Sequence, residues 1–283
     1  MSIDLDAYFE RIRYDGPRKP TLETLCELHR LQPQAIAFEN LDPLLGRTPR
    51  LDPQSLEEKL VHKGRGGYCF EQNLLFSHVL RDIGFKVSEH AARVLWNVPP
   101  GVHTPRSHML LLVDIEGERY LVDVGFGGNV LTGPLVFNSS AEQKTPHEPF
   151  QIVKDDDKYV LQFKMRGDWV KLYRFDLSEQ VQSDHEAGNW FVATHPRSIF
   201  VNGLLSARAE PDCRYALANN VLTIHRMREG SDRRALNARE LRDALADLFK
   251  IRLDGIDGLD AALAKLAGGA EVISGSSSTA HVR

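Results

Sequence analysis

Three residue types that together can carry acyl-transfer chemistry stand in suggestive places along the chain: a cysteine, a histidine and an aspartate. Cys69 lies in KGRGGYCFEQN, residues 63 to 73, where three glycines allow backbone to approach a reacting sulfur closely. A helix beginning at Cys69 would also point its unpaired N–H groups at a thiolate. The same stretch has a plainer reading, because free cysteine is among the most buried residue types and often serves as a small apolar filler. A cysteine nucleophile needs a base to take its proton and a third group to orient that base. Of eleven histidines, His108 begins the apolar run HMLLLVDI, and Asp123 ends ERYLVD directly before VGFGG. If EGE at 116 to 118 turns the chain, the two runs pair antiparallel and residues equidistant from the turn lie opposite one another. His108 is nine residues before Gly117 and Asp123 six after it, so a plain ladder does not oppose them. A bulge or a longer turn is expected to bring them together. Each residue keeps a structural alternative: a hydrogen-bonded histidine at a strand start, and an aspartate that bonds turn amides. GFGG at 125 to 128 either cradles phosphate or turns a sheet, and without a P-loop lysine it does not choose.

The elements that must position these residues change character along the chain. The first 85 residues read as helical: DLDAYFERI puts Leu5, Phe9 and Ile12 on one face, and TLETLCELHRLQ repeats Leu22, Leu25, Leu28 and Leu31. DPQSLEEKLVHK has Asp52 as a cap before Pro53. Cys26 falls on the leucine stripe and reads as core filler. After Cys69 a helix runs until Gly84 stops it. From residue 86 to about 205 the runs are rich in valine and leucine and broken by turn signals, with DDDK and RGD as hairpin turns, which predicts a mainly antiparallel sheet or barrel. In the last part NNVLTIHRM reads as a strand and NARELRDALADLFKI as a helix opened by Asn237 with Glu240 in capping-box relation. The ending GGAEVISGSSSTAHVR reads as a frayed tail.

Composition bounds the possibilities without choosing among them. In 283 residues, 42% are hydrophobic, 26% are charged and the net charge is -4, which gives no basic surface for nucleic acid. No run of about 18 apolar residues and no signal-peptide pattern is present, so neither membrane nor secretion is indicated. Three widely spaced cysteines, Cys26, Cys69 and Cys213, suit neither a disulfide framework nor a C-x-x-C metal site and point to a reducing cytoplasm. Arg65 and Glu39 flank the cysteine segment from different stretches and either form a buried ion pair that holds the glycine-rich loop or both stay solvated.

In that order RGGYCFEQN, SHMLLLV and YLVDVGFGG resemble the arylamine N-acetyltransferases, and the match extends to YFERIRYDGP, TLETLCELHRLQPQAIAFENLD and NWFVATHPRSIFVNGL. The resemblance covers roughly residues 4 to 205 strongly and the rest loosely. It implies an α+β fold: a helical domain (1–85), an antiparallel β-barrel (86–205) and an α/β lid with the tail (206–283). It implies a Cys69–His108–Asp123 triad shared by the first two domains, as in cysteine proteases and transglutaminases. It implies acetyl-CoA as co-substrate, no tightly bound cofactor or metal, an aromatic amine or hydrazine as acceptor, and a place in xenobiotic metabolism. Phe38, Val94 and Phe200 would line the acceptor pocket, while Trp96, Ser107, Phe126 and Gly127 would contact CoA. Two departures stand out: Ala37 where the family usually shows proline, and Ser107 where threonine commonly precedes the histidine. An amide synthase, a transglutaminase-like hydrolase and a non-catalytic binding protein are the competing readings.

Overall fold

The computed structural model describes residues 2–99, 101–227 and 229–268, so the expected tail lies almost wholly outside the described residues. Asp4 accepts the Ala7 N–H at 3.0 Å and starts α1 (Leu5–Ile12), which buries Phe9 and Ile12. Thr21 caps α2 (Leu22–Ala35), which runs past Gln32 through Pro33. Its buried face is Leu25, Leu28, His29 and Gln32, so Cys26 falls on the flank with Leu22 and Arg30 and is only half-buried. The core-filler expectation for Cys26 therefore does not hold.

Beyond β1 (Phe38–Glu39) and α3 (Leu41–Leu44), Asp52 caps α4 (Pro53–Glu57) by accepting the Ser55 N–H at 3.0 Å. The expected single helix then widens into a π turn at Glu58–His62. Helix α5 (Cys69–Ile83) opens on Cys69 and closes on Gly84, whose φ of 108° is left-handed.

Strands β2 (Lys86–Val94), β3 (Arg106–Ile115), β4 (Glu118–Val122), β5 (Leu135–Val136), β6 (Phe150–Asp155), β7 (Lys158–Met165) and β8 (Asp168–Glu179) form one antiparallel sheet. Its order is β5-β4-β3-β2-β8-β7-β6. The β3–β4 and β7–β8 turns, Glu116-Gly117 and Arg166-Gly167, have positive φ at both central residues, which matches the twist of tight hairpins. Gln143 spans the gap between the edge strands. Its backbone pairs with Phe150 of β6, and its side-chain amide exchanges two hydrogen bonds with the Val136 backbone of β5, so the sheet nearly closes into a barrel.

Strand β3 is apolar on both faces because both are covered. Met109, Leu111 and Val113 join the core against the helices, whereas Leu110 and Leu112 join the core inside the barrel. By the period of two, His108 shares the barrel face with Leu110 and Leu112.

Two features depart from the sequence reading. Residues expected to continue the sheet form α6 (Gln182–Thr194) and α7 (Ile199–Asn202) instead, and α6 buries His185, Asn189, Val192 and Ala193. The last sheet, β9 (Leu205–Glu210), β10 (Cys213–Ala218), β11 (Val221–Arg226) and β12 (Gly230–Ala235), also receives β1 at its edge, with Phe38 opposite Ala207. The early helical stretch thus lends the last sheet a strand. Helices α8 (Ala238–Asp247) and α9 (Leu259–Gly268) complete the fold, and Asn237 and Glu240 cap α8 reciprocally at 2.9 Å each. No helix among the described residues is long and apolar enough to cross a membrane.

Candidate active site

The glycine-rich loop is threaded against β1, and this is why it is built from glycine. Glu39 N–H donates to the Gly67 carbonyl and Gly67 N–H to the Ala37 carbonyl, both at 3.2 Å. A Cβ on Gly66 would stand 2.2 Å from that Ala37 oxygen. An ion pair locks the same crossing: Arg65 donates to Glu39 Oε1 through Nε at 3.0 Å and Nη2 at 2.7 Å, with Glu39 wholly buried. Lys59, on the π turn, bridges Asp42 and Glu71 at 2.6 Å each. Glu71 also reaches back to the Tyr68 N–H at 3.1 Å, completing half of a capping box at the start of α5. Burial raises the Glu71 pKa to about 7 even against the pull of Lys59. Cys69 is therefore held as the first residue of a well-anchored helix, 3% exposed, where unpaired N–H groups and the helix dipole favour negative charge.

His108 and Asp123 meet without the bulge or longer turn that counting suggested. The ladder pairs Ile115 with Glu118 and Leu111 with Val122, so Asp123 falls beside Leu110, diagonally two residues from His108 on the same face. Diagonal neighbours are within reach of long side chains, and His108 Nε2 lies 2.7 Å from Asp123 Oδ2. With Nε2 committed to the carboxylate, Nδ1 is left for Cys69. Asp123 Oδ1 accepts from Asn73 Nδ2 at 3.0 Å and from the Gly125 N–H at 2.9 Å. Burial alone would raise the Asp123 pKa, but the charge and hydrogen bond of His108, with those from Asn73 and Gly125, hold it below the usual carboxylate range. Burial would likewise lower the His108 pKa; Asp123 overcomes it, the neighbouring Cys69 thiol adds to the effect, and the result is about 10. The imidazole is thus charged at neutral pH and oriented towards the sulfur. Its ring is clamped by Phe126 at 5.0 Å, edge-on, and by Tyr173 at 4.9 Å.

The segment after Asp123 presses on α5. A Cβ on Gly125 would lie 2.8 Å from Cys69 Cα and 2.8 Å from Asn73 Nδ2. The three residues that the sequence placed far apart therefore converge where α5, β3 and the end of β4 meet.

A model of the N-acetyltransferase family matches residues 21–258. The arylamine N-acetyltransferase of Mycobacterium tuberculosis (strain ATCC 25618 / H37Rv) is 42% identical over 260 residues, 90% of this chain and 92% of that protein. The chain belongs to the arylamine N-acetyltransferase family. Another relative, the arylamine N-acetyltransferase / N-hydroxyarylamine O-acetyltransferase of Salmonella typhimurium, is 46% identical over 212 residues, 75% of each chain. Among solved structures, Mycobacterium marinum arylamine N-acetyltransferase in complex with CoA superposes with a TM-score of 0.89 at 41% identity, covering 93% of this chain and 99% of that one.

The residues that family resemblance assigns to the two substrates are distributed unevenly around Cys69, His108 and Asp123. Phe38 and Phe200 pack with tilted rings 6.1 Å apart, and Phe200 packs at 5.5 Å on Tyr68, the residue before Cys69. Val94 ends β2 opposite Tyr173, on the His108 side. The Ser107 carbonyl lies 3.7 Å from Cys69 Sγ, and Gly127, at a φ of 82°, faces the Phe38 ring. Trp96 packs on Phe163 of the barrel, 5.6 Å between rings. Three residues that sequence reasoning missed also touch His108 or Asp123: Asn73, Tyr173 and His29. Asn73 had a signal, because it lies four residues after Cys69 and so on the same helix face. Tyr173, in an alternating strand, and His29, on an apolar stripe, had none.

Proposed function

We propose that this protein transfers the acetyl group of acetyl-CoA to the nitrogen of an aromatic amine or hydrazine through an acetyl-Cys69 intermediate. The observation that supports the reading is that Cys69, His108 and Asp123 are all buried, with His108 held 2.7 Å from the Asp123 carboxylate and the sulfur at a helix N-terminus. The Cys69 thiolate attacks the thioester carbonyl, the tetrahedral intermediate collapses, and CoA leaves as a thiol with the proton held by His108. The arylamine nitrogen then attacks acetyl-Cys69, His108 accepts its proton, and the thiolate and imidazolium are restored. Asp123 keeps the imidazole in one orientation through both halves.

Aromatic amines suit the second half-reaction because their low basicity leaves the nitrogen uncharged at neutral pH. The tilted rings of Phe38 and Phe200 beside Tyr68 support an aryl acceptor, and Val94, paired with Tyr173, is assigned to the same pocket. Trp96, Ser107, Phe126 and Gly127 are assigned to the CoA side, and the CoA complex of the Mycobacterium marinum relative supports the donor. The Salmonella relative's name supports a further acceptor, the oxygen of N-arylhydroxylamines. Three free cysteines favour the cytoplasm as its compartment.

Intact-mass measurement after incubation with acetyl-CoA tests the reading. One acetyl group should be gained, lost on adding an aniline and never acquired by Cys69→Ala. Label that turns over in water as fast as with anilines would instead indicate a hydrolase, and no label on Cys69 would sink the proposal.

A further inference from the structure

The end of β4 is held by acceptors that come from outside the strand. At residues 123 to 125 three successive main-chain N–H groups are each taken by a side chain. The Gly125 N–H goes to Asp123 Oδ1, the Val124 N–H to Asn73 Oδ1 at 3.0 Å, and the Asp123 N–H to His29 Nε2 at 3.1 Å. Each bond fixes the plane of one peptide. The bond from His29 fixes the peptide that carries Asp123 itself, and it reaches there from α2, 94 residues away in sequence.

His29 is wholly buried, and its ring meets Phe76 edge-on at 6.1 Å. Because Nε2 accepts, the neutral ring carries its proton on Nδ1, and Nδ1 finds no hydrogen-bond partner among the described residues. A leucine or phenylalanine would fill the same space without an orphaned N–H. The unpartnered nitrogen is what remains when a core position is occupied for the sake of a single acceptor.

We propose that His29 is a positioning residue of the triad: its Nε2 pins the Asp123 main chain so that the carboxylate meets His108. The inference rests on the triad reading above. Burial lowers the His29 pKa to about 4, so the ring stays neutral and able to accept throughout the neutral range. A charged ring at this position would have no lone pair for the Asp123 N–H.

The test compares His29→Phe, which keeps ring and volume, with His29→Gln, whose side-chain oxygen can still accept. The readout is the pH profile of Cys69 alkylation by iodoacetamide, which a purely structural role would leave in place even if thermal stability fell. His29→Phe should move the inflection up by about one pH unit or more, equivalent to roughly tenfold in the reactive fraction, while His29→Gln stays close to the unmodified protein. In the unmodified protein, 15N spectra of labelled histidine should show His29 as the Nδ1–H tautomer at neutral pH. This second measurement decides the matter if His29→Phe does not fold. An Nε2–H tautomer, an unmoved profile in His29→Phe, or a Gln variant as impaired as Phe each overturn the inference. An ordinary thiol profile in the unmodified protein overturns the triad reading and this inference with it; a low profile that ignores His29→Phe overturns this inference alone.

Discussion

Asp123 stands diagonally across the β3–β4 hairpin from His108, and the two side chains meet at 2.7 Å with both residues buried. The diagonal commits Nε2 to the carboxylate and leaves Nδ1 free of it, and Cys69, which begins α5, adds to the rise in the His108 pKa.

Asp123→Asn is expected to lower the rate of Cys69 acetylation by ~10³–10⁴-fold, the scale set when an orienting carboxylate becomes an amide. The amide N–H facing Nε2 would favour the tautomer with the proton on Nδ1, which cannot take the thiol proton. Stopped-flow acetylation with acetyl-CoA measures it, with circular dichroism to show that the fold persists. A loss smaller than about tenfold would mean that Asp123 does not orient the ring.

Gly125→Ala tests how closely the strand end presses on Cys69. The added methyl would sit 2.8 Å from Cys69 Cα, a backbone atom that moves only if α5 moves. We expect a loss of about 1–3 kcal/mol in stability and ~10²-fold in acetylation, as for an ångström-scale displacement of a reacting group. Gly133→Ala is the control: its Cβ would meet only the Pro146 side chain, at 3.6 Å, and both properties should stay near normal.

The ion pair behind the loop predicts a non-additive double mutant. Glu39→Ala leaves Arg65 buried without its main partner and frees the Leu41 N–H, which Glu39 accepts at 2.6 Å. A loss of about 3–5 kcal/mol in urea unfolding is expected. Glu39→Leu combined with Arg65→Met should recover a substantial part of it, since neither charge is then stranded. Full additivity would show that the two residues act independently.

These cases also mark how much was legible in the chain. The glycine loop, the helix start at Cys69, the Gly84 stop, the hairpin turns and the Asn237 cap are local decisions, and the structure places each where the residues indicated. The apolar runs of β2 and β3 foretold strands but not the parity that turns His108 into the barrel, because both faces of β3 are covered. The helices at 182–202 fell inside a stretch read as mainly sheet: Val181 offers α6 no side-chain acceptor, and the Ser198 cap opens a helix of only four residues. The strand that Phe38 and Glu39 lend to the last sheet is a pairing across 169 and 167 residues, with Ala207 and Ser206, which no local pattern encodes. The meeting of His108 and Asp123 lay in between: the hairpin was visible, and the error was to demand direct opposition where a diagonal suffices.

A second buried cluster makes a prediction about acid stability. Glu89, 6% exposed, accepts from Ser77 Oγ at 2.7 Å and Arg81 Nη1 at 2.6 Å, and its other oxygen lies 3.0 Å from His185 Nε2. It thereby ties α5 and β2 to α6. Burial would raise its pKa, but the bonds from His185 and Ser77 and the charge of Arg81 bring it down to about 2 from an ordinary 4.5. A carboxyl depressed in the folded state stabilises above its unfolded pKa, and that contribution is lost as pH falls through the folded value. Glu89→Gln should therefore be less stable than the unmodified protein at neutral pH, by at most ~3 kcal/mol. The gap should hold down to about pH 4.5 and close progressively towards pH 2. Urea unfolding of both proteins at several pH values measures it. A difference that stays constant from neutral to acid would assign the loss to packing rather than to the charge of Glu89.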